Sequence, residues 1–285
     1  MINVIINADD FGLHRGINQG IIQAHREGIL SSTTLMANMP GFEEAVGMAH
    51  DNPGLGVGVH LNVVRGFPVG PPDRIPNLLR SDGTFFGDVL ALARRLSRRP
   101  ELAGEIEREW RAQIEKALAA DIDVSHLDSE KHSHTLGPLL PLAAKLAGDY
   151  GINRIRFIDE FGFSFHAVQS MKACYAALSC LRMKKRLREA GILTTDRFIG
   201  ITASGRMTAA RMSRILHRLR DGVTEIMVHP GFILPEMLEL EKQIGSYYIN
   251  KYREQELAAL LDEEPRKVLS ERGIRLVNFH QLEKK

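Results

Sequence analysis

Val- and Ile-rich runs of strand length recur along this chain with amphipathic helical stretches between them. This alternation limits the fold more than any other feature. NVIINAD is followed by RGINQGIIQAHREG, whose apolar residues recur with helical period and which stops at Gly28. LSSTTLMAN, the helix GFEEAVGMAHDNP closed by Asn52-Pro53, and the strand GVGVHLNVV repeat the pattern. Further on come PELAGEIEREWRAQIEKALAA, DVSHLDSEKHSH, LLPLAAKLAGDYG and INRIRFI. RFIGITASG, TAARMSRILHRLRDG, TEIMVHPG, a helix near REQELAALLDEEPRKVLSERG and the strand IRLVNF complete the series. Strands separated by helices pair in parallel, so the expectation is an α/β fold with mostly parallel strands, closed or nearly closed into a barrel. A length of 285 residues suits one such unit, and no internal repeat is visible, so residues 1–285 read as a single domain. Two segments fall outside the pattern. Arg65 to Phe86 is rich in Gly and Pro and reads as a loop long enough to cover a site. Glu160 to Ala190 is ambiguous and partly helical, and its basic cluster from Arg182 to Arg188 reads as a solvated helix face.

The balance of charge narrows the partners. Lys and Arg number 37 against 35 Asp and Glu, which gives no electrostatic footprint for nucleic acid or an anionic membrane. Cys174 and Cys180 share similar sides of a helical stretch, read as reduced thiols, and form neither a disulfide framework nor a thiolate zinc motif. No apolar run reaches the ~18 residues a membrane span requires, and the start of the chain reads as a strand without a leader. The expected location is cytoplasmic.

Four strand ends carry ionisable residues that interrupt apolar runs: Asp9 with Asp10; His60; Asp128, Glu130, His132 and His134; and Glu225 with His229. Parallel α/β folds gather functional groups where strands end. Adjacent carboxylates repel, and both stay ionised near an interior only if a cation or a hydrogen-bond network holds them. Carboxylate and imidazole donors without thiolates suit zinc, manganese or magnesium, and a catalytic site of this kind holds about three protein ligands. A second carboxylate beside the ligand can take a proton from water, and a histidine across the site can serve as acid. The residues alone thus point to a metal-assisted hydrolase without naming the bond cleaved.

These clusters also carry a resemblance. NADDFG, STT at Ser32 to Thr34, GVHLN at Gly58 to Asn62, HLDSEKHSH at His126 to His134 and EIMVHPG at Glu225 to Gly231 follow the order and spacing of the YdjC/ChbG carbohydrate deacetylases. The similarity runs over nearly the whole chain. It implies a distorted (β/α) barrel of the polysaccharide-deacetylase-like type that uses one divalent metal ion (Mg2+, Zn2+ or Mn2+) to remove N-acetyl groups from amino sugars. Asp9 is then the general base, Asp10 and His60 are metal ligands, and His229 lies on the acid side. The third ligand of the family is usually the first His of a D-S-H-x-H-x-H run. Here DSEKHSH places Glu130 at that position. Either Glu130 is an oxygen ligand, favoured because Asp128 and Ser129 keep the register, or His132 takes the role.

The remaining residues have weaker assignments. Asp128 orients a histidine or is a loop carboxylate, and Glu225 orients His229 or caps a turn. His134 and Arg156 are candidates for sugar contacts, with an Arg156–Glu160 pair as the alternative. Trp110 reads as packing, and His14, His25, His50, His217 and His280 as structural or exposed. The expected partner is a small N-acetylated sugar or glycoconjugate, with no nucleic acid and no membrane span; a homo-oligomer is left open. Two rivals stand: a metal-dependent sugar-binding or regulatory protein without turnover, hinted at by Glu130, and a different metallo-hydrolase on a related barrel. No Gly-rich phosphate cradle supports a phosphoesterase, and two adjacent aspartates do not flank a glycosidic bond.

Overall fold

Buried Val and Ile runs need neighbours on both faces and both edges, and a curled parallel sheet provides them. The computed structural model describes residues 1–161, 167–239 and 250–283. Its strands are β1 (Ile2–Phe11), β2 (Ser32–Leu35), β3 (Gly56–Leu61), β4 (Val124–Ser129), β5 (Arg197–Ile199), β6 (Gly222–Val228) and the short β7 (Arg275–Leu276). They form one sheet in the order β4-β3-β2-β1-β6-β5, with β7 also paired to β1, and every pairing is parallel. The six main strands curl into a half-barrel, the distorted (β/α) barrel expected from the alternation.

Each crossover is helical. α1 (Arg15–Glu27) and α2 (Phe42–His50) serve the first two, and α3 (Val89–Arg98) with α4 (Leu102–Ala119) the third. α5 (Leu139–Asp149) and α6 (Ala167–Glu189) connect β4 to β5, α7 (Ala209–Arg218) connects β5 to β6, and α8 (Tyr252–Leu261) and α9 (Glu263–Glu271) precede β7. Val4, Ile6, Ala8, Val57 and Val59 lie in the main core with Trp110 of α4, which is fully buried. Among the described residues, no helix is long and apolar enough to cross a membrane.

The structure departs from the sequence reading in three places. INRIRFI makes only isolated rungs, Ile155 to Leu127 and Arg154 to Leu193, rather than a strand. Beyond them the carboxylate of Asp159 accepts the Phe198 N–H at 2.7 Å, and Glu160 accepts those of Gly200 and Ile201 at 3.1 and 2.7 Å. Side chains thus satisfy amides that a closing ladder would have used, and the barrel stays irregular on this side. The C-terminal helix is two helices: Pro265 has no N–H and its ring excludes the carbonyl four residues back, at Leu261, where α8 ends. Asp262 then caps α9 by accepting the Glu264 N–H at 2.8 Å. Finally, the loop after Arg65 contains two 3₁₀ turns, Pro72–Arg74 and Pro76–Leu78, and runs into α3. Buried Glu109 of α4 pins it by accepting the amides of Val69 and Gly70, both at 2.9 Å.

Candidate active site

Neighbouring residues on a regular strand point to opposite faces, so Asp9 and Asp10 would normally be separated by the sheet. The backbone prevents this. The register between β1 and β2 shifts between Ala8 and Phe11, and Asp10 adopts φ 73°, a left-handed conformation that Asp tolerates better than most residues. Both carboxylates therefore line one cavity of about 780 Å3, together with His60, Arg65, Glu130, His132 and His229. His229 enters from the turn after β6, in His-Pro-Gly. A Cβ on Gly20 of α1 would lie 2.5 Å from the Cα of Gly231, so glycine at both positions lets the helix seat directly on that turn.

The acidic groups separate into two sets that share His60. Asp9, His60 and Asp128 offer ligand-type atoms within 4.8 Å of one another, and so do Asp10, His60 and Glu130. The first set already contains a cation. Fully buried Arg156 makes a two-pronged pair with Asp9 at 2.8 and 2.7 Å, meets Asp128 at 2.6 Å, and donates from Nε to Glu225 at 2.7 Å. Burial opposes ionisation of Asp9, but the Arg156 charge and hydrogen bonds outweigh it and hold this carboxyl well below the usual carboxylate range. One guanidinium does not neutralise three acids, however. Burial raises Glu225 to about 7 in spite of Arg156, with Asp9 and Asp128 adding to the rise.

The second set faces the cavity. Asp128 accepts from Nδ1 of His60 at 2.7 Å, with Thr34 Oγ1 3.3 Å from the other Asp128 oxygen. This leaves Nε2 of His60 directed at Asp10 Oδ1, 3.9 Å away, and Glu130 Oε2, 3.5 Å away. The outer oxygens have other partners: Arg253 of α8 pairs with Asp10 Oδ2, and Arg65 meets Glu130 Oε1 at 3.0 Å. Each carboxylate therefore presents one oxygen to the imidazole. Burial disfavours the charged form of His60, yet Asp128 first and Glu130 next raise its pKa well above the ordinary value. Burial likewise opposes ionised Glu130, and the hydrogen bond from His60 reverses it, giving a strongly lowered pKa. Two ionised oxygens converging on an imidazole nitrogen form a place for a cation, and a carboxylate–imidazole donor set fits a divalent ion.

The other expected residues divide. His132 lines the cavity, with its edge towards the Phe198 ring at 6.0 Å, but joins neither set. His134 is fully buried behind the cavity lining, where it meets Ser129 Oγ at 2.6 Å and the Arg156 carbonyl at 3.3 Å. Arg156 likewise faces carboxylates instead of sugar, and its partners do not include Glu160. Glu225 does not reach His229. That position belongs to Glu256 of α8, whose Oε2 accepts the His229 N–H at 2.6 Å and lies 3.9 Å from Nδ1 of the ring. Arg253 and Glu256 carry no motif in the sequence. Their only sign there was a charged pair three residues apart in an otherwise apolar helix face, REQELAALL. The cavity rim is apolar where α3 and α6 approach it, through exposed Leu90, Met171 and Tyr175.

The chain matches the family model for YdjC-like protein over residues 3–271. It is 36% identical over 282 residues to a carbohydrate deacetylase of Brevibacillus brevis, with 99% of this chain and 100% of that protein covered. A carbohydrate deacetylase of Geobacillus stearothermophilus is 31% identical, with 98% of each covered. A protein of Enterococcus faecalis V583, whose crystal structure carries the provisional name cellobiose-phosphate cleavage protein, superposes with a TM-score of 0.75 at 27% identity. That match covers 98% of this chain and 97% of the other.

Proposed function

Because this chain belongs to the YdjC-like family, we propose that it is a metal-dependent hydrolase that removes the N-acetyl group from an amino sugar, free or attached to a larger carrier. The observation that carries the reading is the pair of oxygens, from Asp10 and Glu130, converging on Nε2 of His60 at the wall of a cavity that also holds Asp9 and His229. The carbohydrate deacetylases among its relatives supply the substrate class.

In this reading Asp10, His60 and Glu130 hold one divalent ion. Bound there, the ion would polarise the acetyl carbonyl and acidify a water. Asp128 fixes the His60 tautomer by accepting from Nδ1, so that Nε2 is the ligand nitrogen. Asp9 accepts the proton of the attacking water. Arg156 keeps it ionised across the working pH range, at some cost in basicity. His229, in the same cavity, gives a proton to the departing amine, which would otherwise leave as a poor anionic group. Glu130 in place of a second imidazole makes the donor set harder, which favours magnesium, manganese or zinc over softer ions.

Acetate release from a panel of N-acetylated amino sugars tests the reading. It should occur with divalent metal present, stop with chelator, and return when metal is restored. Sugar binding by the metal-loaded protein without acetate release would assign it to the binding class instead.

A further inference from the structure

Resting on the deacetylase reading above, we propose that α8 is a clamp with two hands. Arg253 holds the candidate ligand Asp10, Glu256 holds the candidate acid His229, and the one helix sets the relation between the two sides of the site. Residues three apart project from the same helix face. Both are buried, at 3% and 1% exposure, although charged side chains at such depth are costly unless paired. Their partners come from opposite ends of the chain but from neighbouring strands. Asp10 lies near the end of β1 and His229 follows β6, and Ala8 pairs with Val228 just before them. His229, Arg253 and Glu256 also border one crevice of about 20 Å3. A single helix face thus closes over two adjacent strand ends.

Each hand has its own consequence. Arg253 occupies Asp10 Oδ2, so Oδ1 is the oxygen turned towards His60. Its charge would also oppose any cation bound beside it. Glu256 braces two main-chain amides, accepting from His229 at 2.6 Å and from Gly205 at 2.8 Å. Nδ1 of His229 is buried without a hydrogen-bond partner among the described residues, 3.9 Å from Glu256 Oε2. A small turn of the ring would bring Nδ1–H to the Glu256 carboxylate as its acceptor. Arg253 and Glu256 are positioning residues: each acts through another side chain.

The test uses the full-length protein with Arg253→Gln, Arg253→Lys, Glu256→Gln and Glu256→Asp, each checked by thermal melt. Co2+ affinity is measured by competition with a chromogenic chelator. The His229 titration is followed by NMR, with a His229→Gln spectrum for assignment. Removing a unit charge a few ångströms from a dication should tighten Co2+ binding by ~10-fold or more even at an effective permittivity of ~20, while the His229 titration stays put. Arg253→Lys, which keeps the charge, should stay close to wild type in affinity. Glu256→Gln should leave Co2+ affinity unchanged and move the His229 titration to lower pH, because a negative charge beside the ring is lost, with Glu256→Asp restoring part of it. Should Arg253→Gln fail to fold, the neutral Arg253→Met is read for affinity in its place; should Glu256→Gln fail, Glu256→Asp is read for the His229 titration. The clamp is overturned if Arg253→Gln leaves affinity unchanged or weaker, if Glu256→Gln leaves His229 unmoved, or if each variant disturbs both readouts alike. A wild-type protein that binds Co2+ but releases no acetate would end the deacetylase reading and leave both measurements standing.

Discussion

Asp9 and Asp10 are adjacent in sequence and share a cavity, yet their surroundings differ in kind. Asp9 belongs to a set whose cation, Arg156, is part of the chain and is present whenever the protein is folded. Asp10 belongs to a set in which one carboxylate oxygen is held by an arginine and the other is turned to His60 at the cavity wall. Burial costs charge in both places; in one the cation sits among the carboxylates, and in the other Arg253 and Arg65 hold the outer oxygens and leave Asp10 Oδ1 and Glu130 Oε2 turned to His60. The shift in register and the positive φ at Asp10 bring both to one cavity, and the arginine that each meets, Arg156 or Arg253, sets them apart. Proximity of like residues therefore says little about shared role.

Breaking the inner set should have the largest effect on the fold. Arg156→Met removes the counter-ion of Asp9, Asp128 and Glu225 at once, and stranding buried charges of this kind costs ~3–5 kcal/mol. Urea unfolding with and without the substitution measures it, and a change within error would mean that Arg156 is not their principal partner. Asp9→Asn, which keeps the shape but cannot take a proton, should lower turnover ~10²- to 10⁴-fold in steady-state acetate release. Near wild-type rates would place the base elsewhere.

The outer set is sharpened by its third member. Glu130→Gln should weaken metal binding sharply, and Glu130→His should retain metal with preference moved towards zinc or cobalt relative to magnesium. His132→Ala should leave occupancy largely intact, because His132 lies outside the set of converging donors. The reverse pattern in a chelator competition would transfer the third ligand to His132.

The smallest effect concerns pH. Glu225 has its folded pKa raised to about 7, so the native protein binds a proton there that the unfolded chain, with an ordinary carboxyl, releases. Its contribution to stability accordingly falls as pH rises from the usual carboxylate range through about 7. Glu225→Gln, neutral throughout, should flatten that part of the stability–pH profile measured by urea midpoints at constant ionic strength. An unchanged slope would show that Glu225 ionises normally.

Much of this arrangement was legible before any coordinates. The β–α alternation points to a parallel sheet, and the interruptions of apolar runs by Asp9, Asp10, His60, Asp128, Glu130 and His229 mark the strand ends that the sheet brings together. Pairings were harder to see. A charge inside INRIRFI announces that Arg156 must find partners, but periodicity cannot say that they are Asp9, Asp128 and Glu225 rather than Glu160. The strand itself failed because Asp159 and Glu160 satisfy the amides across the gap. Arg253 and Glu256 approach from a helix more than two hundred residues away from Asp10, and a helical pattern reports burial without identifying what is met.

The division between the two aspartates is tested most directly by the metal content of Asp9→Asn and Asp10→Asn, each saturated with Zn2+, gently desalted and assayed by elemental analysis beside wild type. Asp9→Asn should retain the wild-type stoichiometry, since Arg156 is the cation of its set, and Asp10→Asn should lose most of its metal. Equal loss in both variants, or loss confined to Asp9→Asn, would contradict the division.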